Sequence, residues 1–382
     1  MATKSITSCV LLAFLSLAGV YSGAISAAEN APIMPLAQHS LLLDLAHAGD
    51  RVVVAGERGH VLFSDDRGAT WTQAGVPTRQ MLTALFFVDE SRGWAVGHDG
   101  LVLLTDDGGA SWRVQRDGLA AQQQLNLEAR ERAHREVGRI EAALAKAGPA
   151  AAREQMQDLQ LALEDALLDL EDAELALQEH VFTSPLMDVW FRDAEHGFAV
   201  GAFGSLLVTV DGGQRWEHVP ERVDNPEEFH LNAVVGDSQG RVFIAGEGGL
   251  LYRSLDGGRS FVRLEGFYQG SWFGALWLAK LERLLVYGLR GNLYFSDDFG
   301  DSWRQPEGGT DLTLSGGTAS DDTVVVVGGA GSVLMSVNGG DSFEFYQIED
   351  RLPLGAALLV GDRLILAGQG GVKYRNEGQL NE

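Results

Sequence analysis

Short apolar runs separated by regularly spaced glycines occupy most of the chain. Each unit has an apolar strand, a glycine, two residues, a second glycine and another apolar strand. Units of this kind, β-rich and about 40 residues long, are typical of propellers, in which each unit forms one blade. The pattern therefore predicts an all-β fold, a seven-bladed β-propeller. The seven glycine pairs are Gly56/Gly59, Gly97/Gly100, Gly201/Gly204, Gly246/Gly249, Gly288/Gly291, Gly328/Gly331 and Gly368/Gly371.

A second motif follows six of these units and has the form Ser/Thr-x-Asp-x-Gly-x-Ser/Thr-aromatic. Its first copy runs from Ser64 to Trp71. Aspartate and serine side chains bond the backbone of tight turns, and glycine supplies a conformation that other residues resist. Two copies depart slightly, with Arg215 in the hydroxyl position and Asn338 in place of aspartate. We predict a structural role in these turns for Asp66, Asp107, Asp211, Asp256, Asp298 and Asn338.

The first 28 residues have a different pattern. Lys4 precedes an apolar run from Cys9 to Val20, and small residues follow as far as Ala28. A short apolar stretch with these flanks predicts a cleavable signal peptide over residues 1–28. The mature chain then contains no cysteine, and we expect no disulfide and no cysteine-bound metal. We expect a periplasmic location, with secretion as the alternative.

These repeats resemble the Asp-box, or bacterial neuraminidase repeat (BNR), family. The single propeller after a signal peptide is most similar to the photosystem II stability and assembly-factor group and its relatives in non-photosynthetic bacteria. The resemblance covers nearly all of residues 36–375 except one insertion, and it implies that the motif turns hold the blade edges. It also implies an assembly chaperone or accessory factor. The bacterial relatives resemble companions of resistance-nodulation-division (RND) exporters, which implies an exporter as the partner.

The insertion lies between the second and third units, where glycine nearly disappears. Apolar residues recur there in steps of three and four, which predicts an antiparallel α-helical (coiled-coil) hairpin with its tip at Gly148-Pro149. Two helices of about 30 residues would each be about 45 Å long. A second apolar stripe on the second helix, which we interpret as a docking surface, consists of Leu161, Leu168 and Leu175.

The chain is therefore expected to contain four parts. These are the signal peptide (1–28), blades 1 and 2 (29–117), the helical hairpin (118–181) and blades 3 to 7 (182–382). The last unit ends near Tyr374 without a copy of the motif, so it lacks an outer strand. We expect an N-terminal strand around residues 31–37 to supply it and close the ring.

One face of the propeller is predicted to bind a partner. Following the chain through a four-stranded blade places the hairpin on the same face as the turns between second and third strands, and the motif turns on the opposite face. The predicted partner-binding residues are Glu57, Arg58, His98, Asp99, Phe203, Glu247, Arg290 and Gln369. Aligning the inner strands also predicts a narrow polar channel lined by Asp44, Thr83, Asp188, Asn232, Gly274, Thr313 and Gly355.

Charge and motifs narrow the classes of function. The net charge is -24, and -25 once Lys4 leaves with the signal peptide, so we expect no nucleic-acid partner because phosphates would be repelled. After residue 28 no apolar stretch approaches the roughly 20 residues of a membrane helix. The sequence contains no H-E-x-x-H and no G-x-S-x-G motif. We therefore predict no catalytic residue, no metal and no cofactor.

Two functions remain open. The first is a non-catalytic periplasmic scaffold, assembly or accessory factor that binds a membrane protein complex, with an RND exporter as one candidate. The alternative is a carbohydrate-active propeller, either a sialidase-like glycoside hydrolase or a lectin-like glycan binder, because the Asp-box family includes sialidases. Sialidases resemble one another in an Arg-Ile/Leu-Pro motif before the first box. Here Arg351-Leu352-Pro353 follows the sixth box instead.

Overall fold

The computed structural model describes residues 30–147 and 153–376, which form seven antiparallel sheets and two long helices. The predicted signal peptide and the predicted tip at Gly148-Pro149 lie outside the described residues. In each sheet the strands are paired in chain order. No helix within the described ranges is long and apolar enough to cross a membrane.

The first four sheets each contain four strands. The first consists of β1 (Leu42–Ala48), β2 (Arg51–Gly56), β3 (Val61–Ser64) and β4 (Thr72–Gln73). The second consists of β5 (Leu82–Phe87), β6 (Gly93–Gly97), β7 (Val102–Thr105) and β8 (Arg113–Arg116). The third consists of β9 (Leu186–Phe191), β10 (Gly197–Gly201), β11 (Leu206–Thr209) and β12 (Glu217–His218). The fourth consists of β13 (Leu231–Gly236), β14 (Val242–Gly246), β15 (Leu251–Ser254) and β16 (Val262–Arg263).

The last three sheets contain three, four and three strands. They consist of β17 (Trp272–Leu278), β18 (Arg283–Gly288), β19 (Leu293–Ser296); β20 (Leu314–Ser320), β21 (Thr323–Gly328), β22 (Ser332–Ser336), β23 (Glu344–Gln347); and β24 (Leu354–Val360), β25 (Arg363–Gly368), β26 (Gly371–Asn376). In the fifth sheet Arg304 bridges Phe295 where the first four sheets and the sixth have a fourth strand. The two long helices are α1 (Gly118–Ala147) and α2 (Arg153–Ala176).

Neighbouring sheets pack face to face through apolar clusters. Seven clusters join successive sheets around the ring, and one of them joins the first sheet to the seventh through Leu42, Val54, Leu358 and Ile365. The second strand of each sheet is covered on both sides, and this explains continuous apolar runs such as β21. The result is a mostly-β, propeller-like fold with the helices between the second and third sheets.

Every innermost strand contains a β-bulge one residue after its first paired position. A bulge inserts one unpaired residue and shifts every later side chain. The residues of the predicted polar channel therefore combine bulged residues with residues one position after a bulge. The prediction is wrong at Thr313, which lies before β20; Ser315 is the bulged residue of that strand. The bulged residues are Leu43, Thr83, Met187, Asn232, Phe273, Ser315 and Gly355.

The six motif turns share one hydrogen-bond pattern. In the first, Ser64 Oγ donates to Asp66 Oδ1 (2.8 Å) and accepts from the N–H of Gly68 (2.8 Å). Asp66 Oδ1 also accepts from the N–H of Thr70 (2.8 Å). The first residue of each motif is almost fully buried, whereas the aspartate, or Asn338 in the sixth, is exposed or half-exposed. Equivalent turns follow Thr105, Thr209, Ser254, Ser296 and Ser336.

The segment before β1 differs from the prediction. Residues 30–36 form no strand, and the seventh sheet has three described strands. The N–H of Ala31 donates to the Val76 carbonyl (2.9 Å), and the N–H of Met34 donates to Gln73 Oε1 (2.9 Å). Because these groups bond the first sheet and its outgoing loop, the expected closing strand at 31–37 is wrong. The first and seventh sheets meet through side-chain packing instead.

The two long helices lie side by side and antiparallel. Val137 and Ile140 of α1 pack with Ala166 of α2, on the apolar seam expected from the sequence. His134 Nε2 lies 3.7 Å from Glu174 Oε1 across the pair. Asp117 Oδ1 accepts from the N–H of Ala120 (3.1 Å) and satisfies an otherwise unbonded donor at the start of α1.

Candidate partner-binding face

The turns between second and third strands form one face of the ring, which we call the turn face. In the first six sheets each is a single 3₁₀ turn: Glu57–Gly59, His98–Gly100, Ala202–Gly204, Glu247–Gly249, Leu289–Gly291 and Gly329–Gly331. All eight predicted residues lie in these connections or, for Gln369, in the corresponding connection of the seventh sheet. The middle residues Arg58, Phe203 and Arg290 have φ between 55° and 57°, and each has an exposed side chain.

The helical hairpin emerges from this same face. The first residue of α1, Gly118, lies against the turn of the second sheet, and a β-carbon there would be 2.1 Å from the Asp99 carbonyl oxygen. Glycine is therefore required for the approach of the two backbones. The hairpin root thus adjoins the predicted residues His98 and Asp99.

An aromatic cluster connects the hairpin root to the third and fourth sheets. The Phe182 ring meets the edge of Phe203 with centroids 6.1 Å apart, and Phe203 meets His230 at 5.1 Å. Phe182 and Phe203 are 65% and 50% exposed. The N–H of Phe203 donates to His230 Nδ1 (3.1 Å), while the N–H of His230 donates to Glu247 Oε2 (3.2 Å). We call Phe182, Phe203 and His230 the root cluster.

The three acidic residues predicted for this face differ from the other predicted residues because their carboxylates are already hydrogen-bonded within the chain. Glu57 accepts from the N–H of Leu41 (3.2 Å), and Asp99 accepts from the side-chain amide of Gln80. With Glu247 bonded to the backbone of His230, all three carboxylates support local structure. The exposed predicted side chains that remain for a partner are Arg58, His98, Phe203, Arg290 and Gln369.

A groove of about 220 Å³ lies beside the root cluster, between α1 and the third sheet. Arg116 at its base donates to the Gly100 carbonyl, and burial lowers the pKa of its guanidinium. Burial also lowers the pKa of His218, with a smaller contribution from the positive charge of Arg116. Leu125 and Phe182 supply apolar walls. The groove therefore combines a half-buried positive charge with apolar surface.

The predicted docking stripe lies on the side of α2 that does not pack on α1. Leu161, Leu168 and Leu175 are exposed. By contrast, Leu163 and Leu170 pack against the cluster formed with α1. The stripe therefore lies on the hairpin, whose root adjoins the turn face. Phe182 and His230, which precede inner strands, are not among the residues predicted from the sequence.

Comparison with known families gives one match over more than half of the chain. The family model described as photosynthesis system II assembly factor YCF48 matches residues 66–133 and 170–303. A curated relative, the photosystem II assembly lipoprotein Ycf48 of Synechococcus sp. (strain CC9902), is 34% identical over 120 residues. This stretch is 31% of the chain and 35% of the relative, so the chain spans about a third of that relative's length.

Solved structures with the same fold include two YCF48 proteins. The structure titled YCF48 bound to D1 peptide has a TM-score of 0.57 and 15% identity, covering 88% of this chain and 92% of that one. YCF48 from Cyanidioschyzon merolae has a TM-score of 0.55 and 14% identity, covering 92% and 98%. The WD40 propeller domain of Doa1 reaches 0.57 at 8% identity, covering 92% and 97%. At such identities the likeness shows a propeller-like fold alone.

Proposed function

Because the chain belongs to the family of the photosynthesis system II assembly factor YCF48, we propose that it is a non-catalytic factor that binds a membrane protein complex. Binding takes place on the turn face and along the helical hairpin. The partner is an integral membrane complex with a region exposed in the periplasm, and an RND exporter is our specific candidate. Residues 1–28 direct the chain to that compartment as a cleavable signal peptide.

We further propose that the seven sheets are the seven blades of a propeller and that the motif turns are Asp boxes. The ring of inter-sheet clusters and the repeated serine–aspartate–glycine bonding support this assignment. Residues 29–117 and 182–382 then form a single propeller domain, and residues 118–181 form a projecting coiled-coil arm. In this arrangement the boxes stabilise the ring and take no part in binding.

The observation that carries the proposal is the exposure of two contacting phenylalanines where the arm leaves the ring. Isolated surface apolar residues are common, but contiguous exposed apolar groups mark interaction sites. Phe182 and Phe203 form such a contact and lie beside a groove with a half-buried arginine. The leucine stripe continues the apolar surface along an arm about 45 Å long, since α1 has 30 residues.

The printed title of one structural relative says that it binds a D1 peptide. For this chain we propose the same general mode, in which a peptide segment of a membrane protein docks on the propeller. The groove at the hairpin root suits a segment with apolar side chains and a carboxylate that pairs with Arg116. A partner with a periplasmic helical region would use the stripe of α2.

Capture from membranes tests the proposal. The tagged protein is crosslinked in intact cells, and its partners are identified after detergent extraction. We expect recovery of an inner-membrane transporter and loss of it in the variant Phe182→Ser/Phe203→Ser. The stripe variant Leu161→Gln/Leu168→Gln/Leu175→Gln should also lower recovery.

A matched control comes from the opposite face. Val210, Leu255 and Val337 are exposed apolar residues in three motif turns. The variant Val210→Ser/Leu255→Ser/Val337→Ser should retain full capture. If capture survives both the root and the stripe substitutions, or is lost only in the control, the turn face and arm are not the binding surface.

The non-catalytic assignment has its own test. A fluorogenic sialoside and a glycan array probe the carbohydrate-active alternative directly. We expect neither turnover nor glycan binding by the purified protein. Turnover that is lost on substitution of a carboxylate in the ring would replace the present proposal.

A further inference from the structure

The innermost strands of all seven sheets surround a cleft of about 430 Å³ at the centre of the ring. Its lining is mixed: Leu43, Met187 and Phe273 are among the apolar residues, and Thr83, Asn232 and Ser315 are among the polar ones. Its titratable residues are Asp44, His47, Asp188 and Tyr287. No lysine or arginine is among the described residues that line it, so His47 is the one basic side chain of the described lining.

Both carboxylates are fixed by backbone donors. Asp44 accepts from the N–H groups of Leu45 (2.8 Å) and Leu85 (2.6 Å). Asp188 accepts in the same way from Val189 (2.8 Å) and Val234 (2.8 Å). A carboxylate oxygen can accept more than one hydrogen bond, so each retains acceptor capacity toward the cleft.

The hydroxyl of Tyr287 provides an independent observation. The side chain is only 4% exposed, and it reaches the cleft by crossing Gly274, where a β-carbon would lie 2.2 Å from the hydroxyl oxygen. Within residues 30–147 and 153–376 no group forms a hydrogen bond with this hydroxyl. This hydroxyl lines the same cleft as the two aspartates, so it can bond a ligand there.

We propose that the central cleft binds a primary alkylammonium ion. Its three N–H donors bond the carboxylate of Asp44 or Asp188 and the hydroxyl oxygen of Tyr287. Its alkyl stem packs against Leu43, Met187 and Phe273. The same chemistry is offered by a free diamine and by the lysine side chain of another protein.

An alkylammonium ion fits the cleft better than a metal ion. Among the described residues, no group of three or more histidine, cysteine, aspartate or glutamate side chains is placed to hold a metal. Divalent cations require several oxygen ligands at short, fixed distances. An ammonium group requires only three acceptors, and it tolerates a mixture of carboxylate and hydroxyl.

The acid–base behaviour of the cleft supports a cation as the ligand. Burial raises the pKa of Asp44 to about 7, and burial together with the charge of Asp44 raises the pKa of Asp188 to about 7. A bound cation stabilises the ionised carboxylates, so binding should release protons near neutral pH. The affinity should rise about tenfold between pH 6 and pH 8 for each carboxylate engaged. His47 bonds the Leu359 carbonyl at the rim (2.9 Å).

Calorimetric titration of the whole protein with 1,5-diaminopentane and with Nα-acetyl-lysine N-methylamide tests this inference. We expect binding of at least one amine, and no binding of 1-butanol or tetramethylammonium. Tighter binding of the diamine would identify a free diamine as the ligand, and tighter binding of the lysine derivative would identify a lysine side chain. Saturable Mg²⁺ binding without amine binding would overturn the proposal.

Near-isosteric variants identify the site. Asp44→Asn/Asp188→Asn should weaken amine binding at least tenfold and abolish proton release. Tyr287→Phe removes one hydroxyl and should weaken binding by about two- to tenfold. The exposed Asp362→Asn serves as the control and should bind as the unmodified protein does. Unchanged affinity in the double aspartate variant, with the fold verified by circular dichroism, would disprove the site independently of any result on partner capture.

Discussion

Asp188 on the innermost strand of the third sheet accepts a hydrogen bond from the N–H of Val234 on the innermost strand of the fourth sheet (2.8 Å). Asp44 forms the equivalent bond with Leu85, between the first and second sheets. These bonds join neighbouring sheets at the axis, where the β-ladders do not reach. Three further junctions are bridged by side-chain donors: Thr83 to the Leu186 carbonyl, Asn232 to the Trp272 carbonyl and Ser315 to the Leu354 carbonyl.

The raised pKa values of these aspartates predict a specific pH dependence of stability. In the folded protein both groups keep their proton up to about pH 7, whereas in the unfolded chain they release it near their usual pKa of 3.8. Between these values the folded state binds more protons, so this contribution to stability falls as pH rises from about 4 to about 7. Above pH 7 it is constant.

Urea unfolding at pH 5 and pH 8 measures this contribution. Asp44→Asn/Asp188→Asn cannot titrate, so the variant should gain stability relative to the unmodified protein on going from pH 5 to pH 8. Comparing the two proteins cancels the contributions of His60 and His218, whose lowered pKa values act in the same range. An identical pH dependence in both proteins would contradict the prediction.

The buried hydroxyl of each motif turn should matter more than the exposed one. Ser296 is 1% exposed and accepts from the N–H of Gly300 (2.7 Å). Ser296→Ala leaves that buried N–H without its acceptor, which should cost about 1–3 kcal/mol of unfolding free energy. Ser302 donates to Asp298 at the surface (2.5 Å), and Ser302→Ala should cost less than about 1 kcal/mol. Chemical denaturation of both variants tests the order, and a larger loss at Ser302 would refute it.

Gly274 and Tyr287 should be energetically coupled. The phenol ring occupies the space of a β-carbon at Gly274. Gly274→Ala should therefore destabilise the protein by about 1–3 kcal/mol, the usual cost of overpacking. In a Tyr287→Ala background the added methyl group has room, so the same substitution should cost less. A double-mutant cycle measures this coupling, and additive free energies would show that the ring does not restrict position 274.

The arm should unfold without disturbing the sheets. Ile140 is buried between α1 and α2, and Ile140→Asp places a charge in their seam. The cost of an unpaired buried charge exceeds about 2 kcal/mol, so helical circular dichroism should decrease. All eight tryptophans lie outside residues 118–181, and their fluorescence transition should not shift. Glu141→Ala, an exposed neighbour, is the control. A parallel loss of the fluorescence transition would show that arm and ring fold as one unit.

Interactions between residues close in sequence were the most predictable part of the fold. The bonds among Ser64, Asp66 and Gly68 lie within five consecutive residues, so the sequence alone indicates them. The seam through Val137 and Ile140 follows from helical periodicity in the same way. Strand alternation, by contrast, cannot reveal a bulge, and one unpaired residue in each inner strand was enough to mix two positions in the predicted channel.

Contacts between sheets were less predictable. Phe203 and Glu247 were expected on the turn face because chain topology fixes the position of their turns. His230, which joins them, is 27 residues from Phe203, and its role depends on how the third and fourth sheets pack. The path of residues 30–36 could not be foreseen for a similar reason. A short segment of mixed polarity could follow the first or the seventh sheet, and the acceptors at Gln73 and Val76 decide for the first.

The two ends of the helical hairpin meet at one place on the ring. Near the start of α1, the side-chain amide of Asn126 donates to the carbonyl of Ala176, the last residue of α2 (3.4 Å). The helical hairpin therefore begins and ends at the same place, and the second and third sheets are connected as other neighbouring sheets are. The arm is consequently an independent insertion, whose length and surface can diverge among homologues without altering the register of any strand. Recognition and structural integrity can then evolve under separate selection.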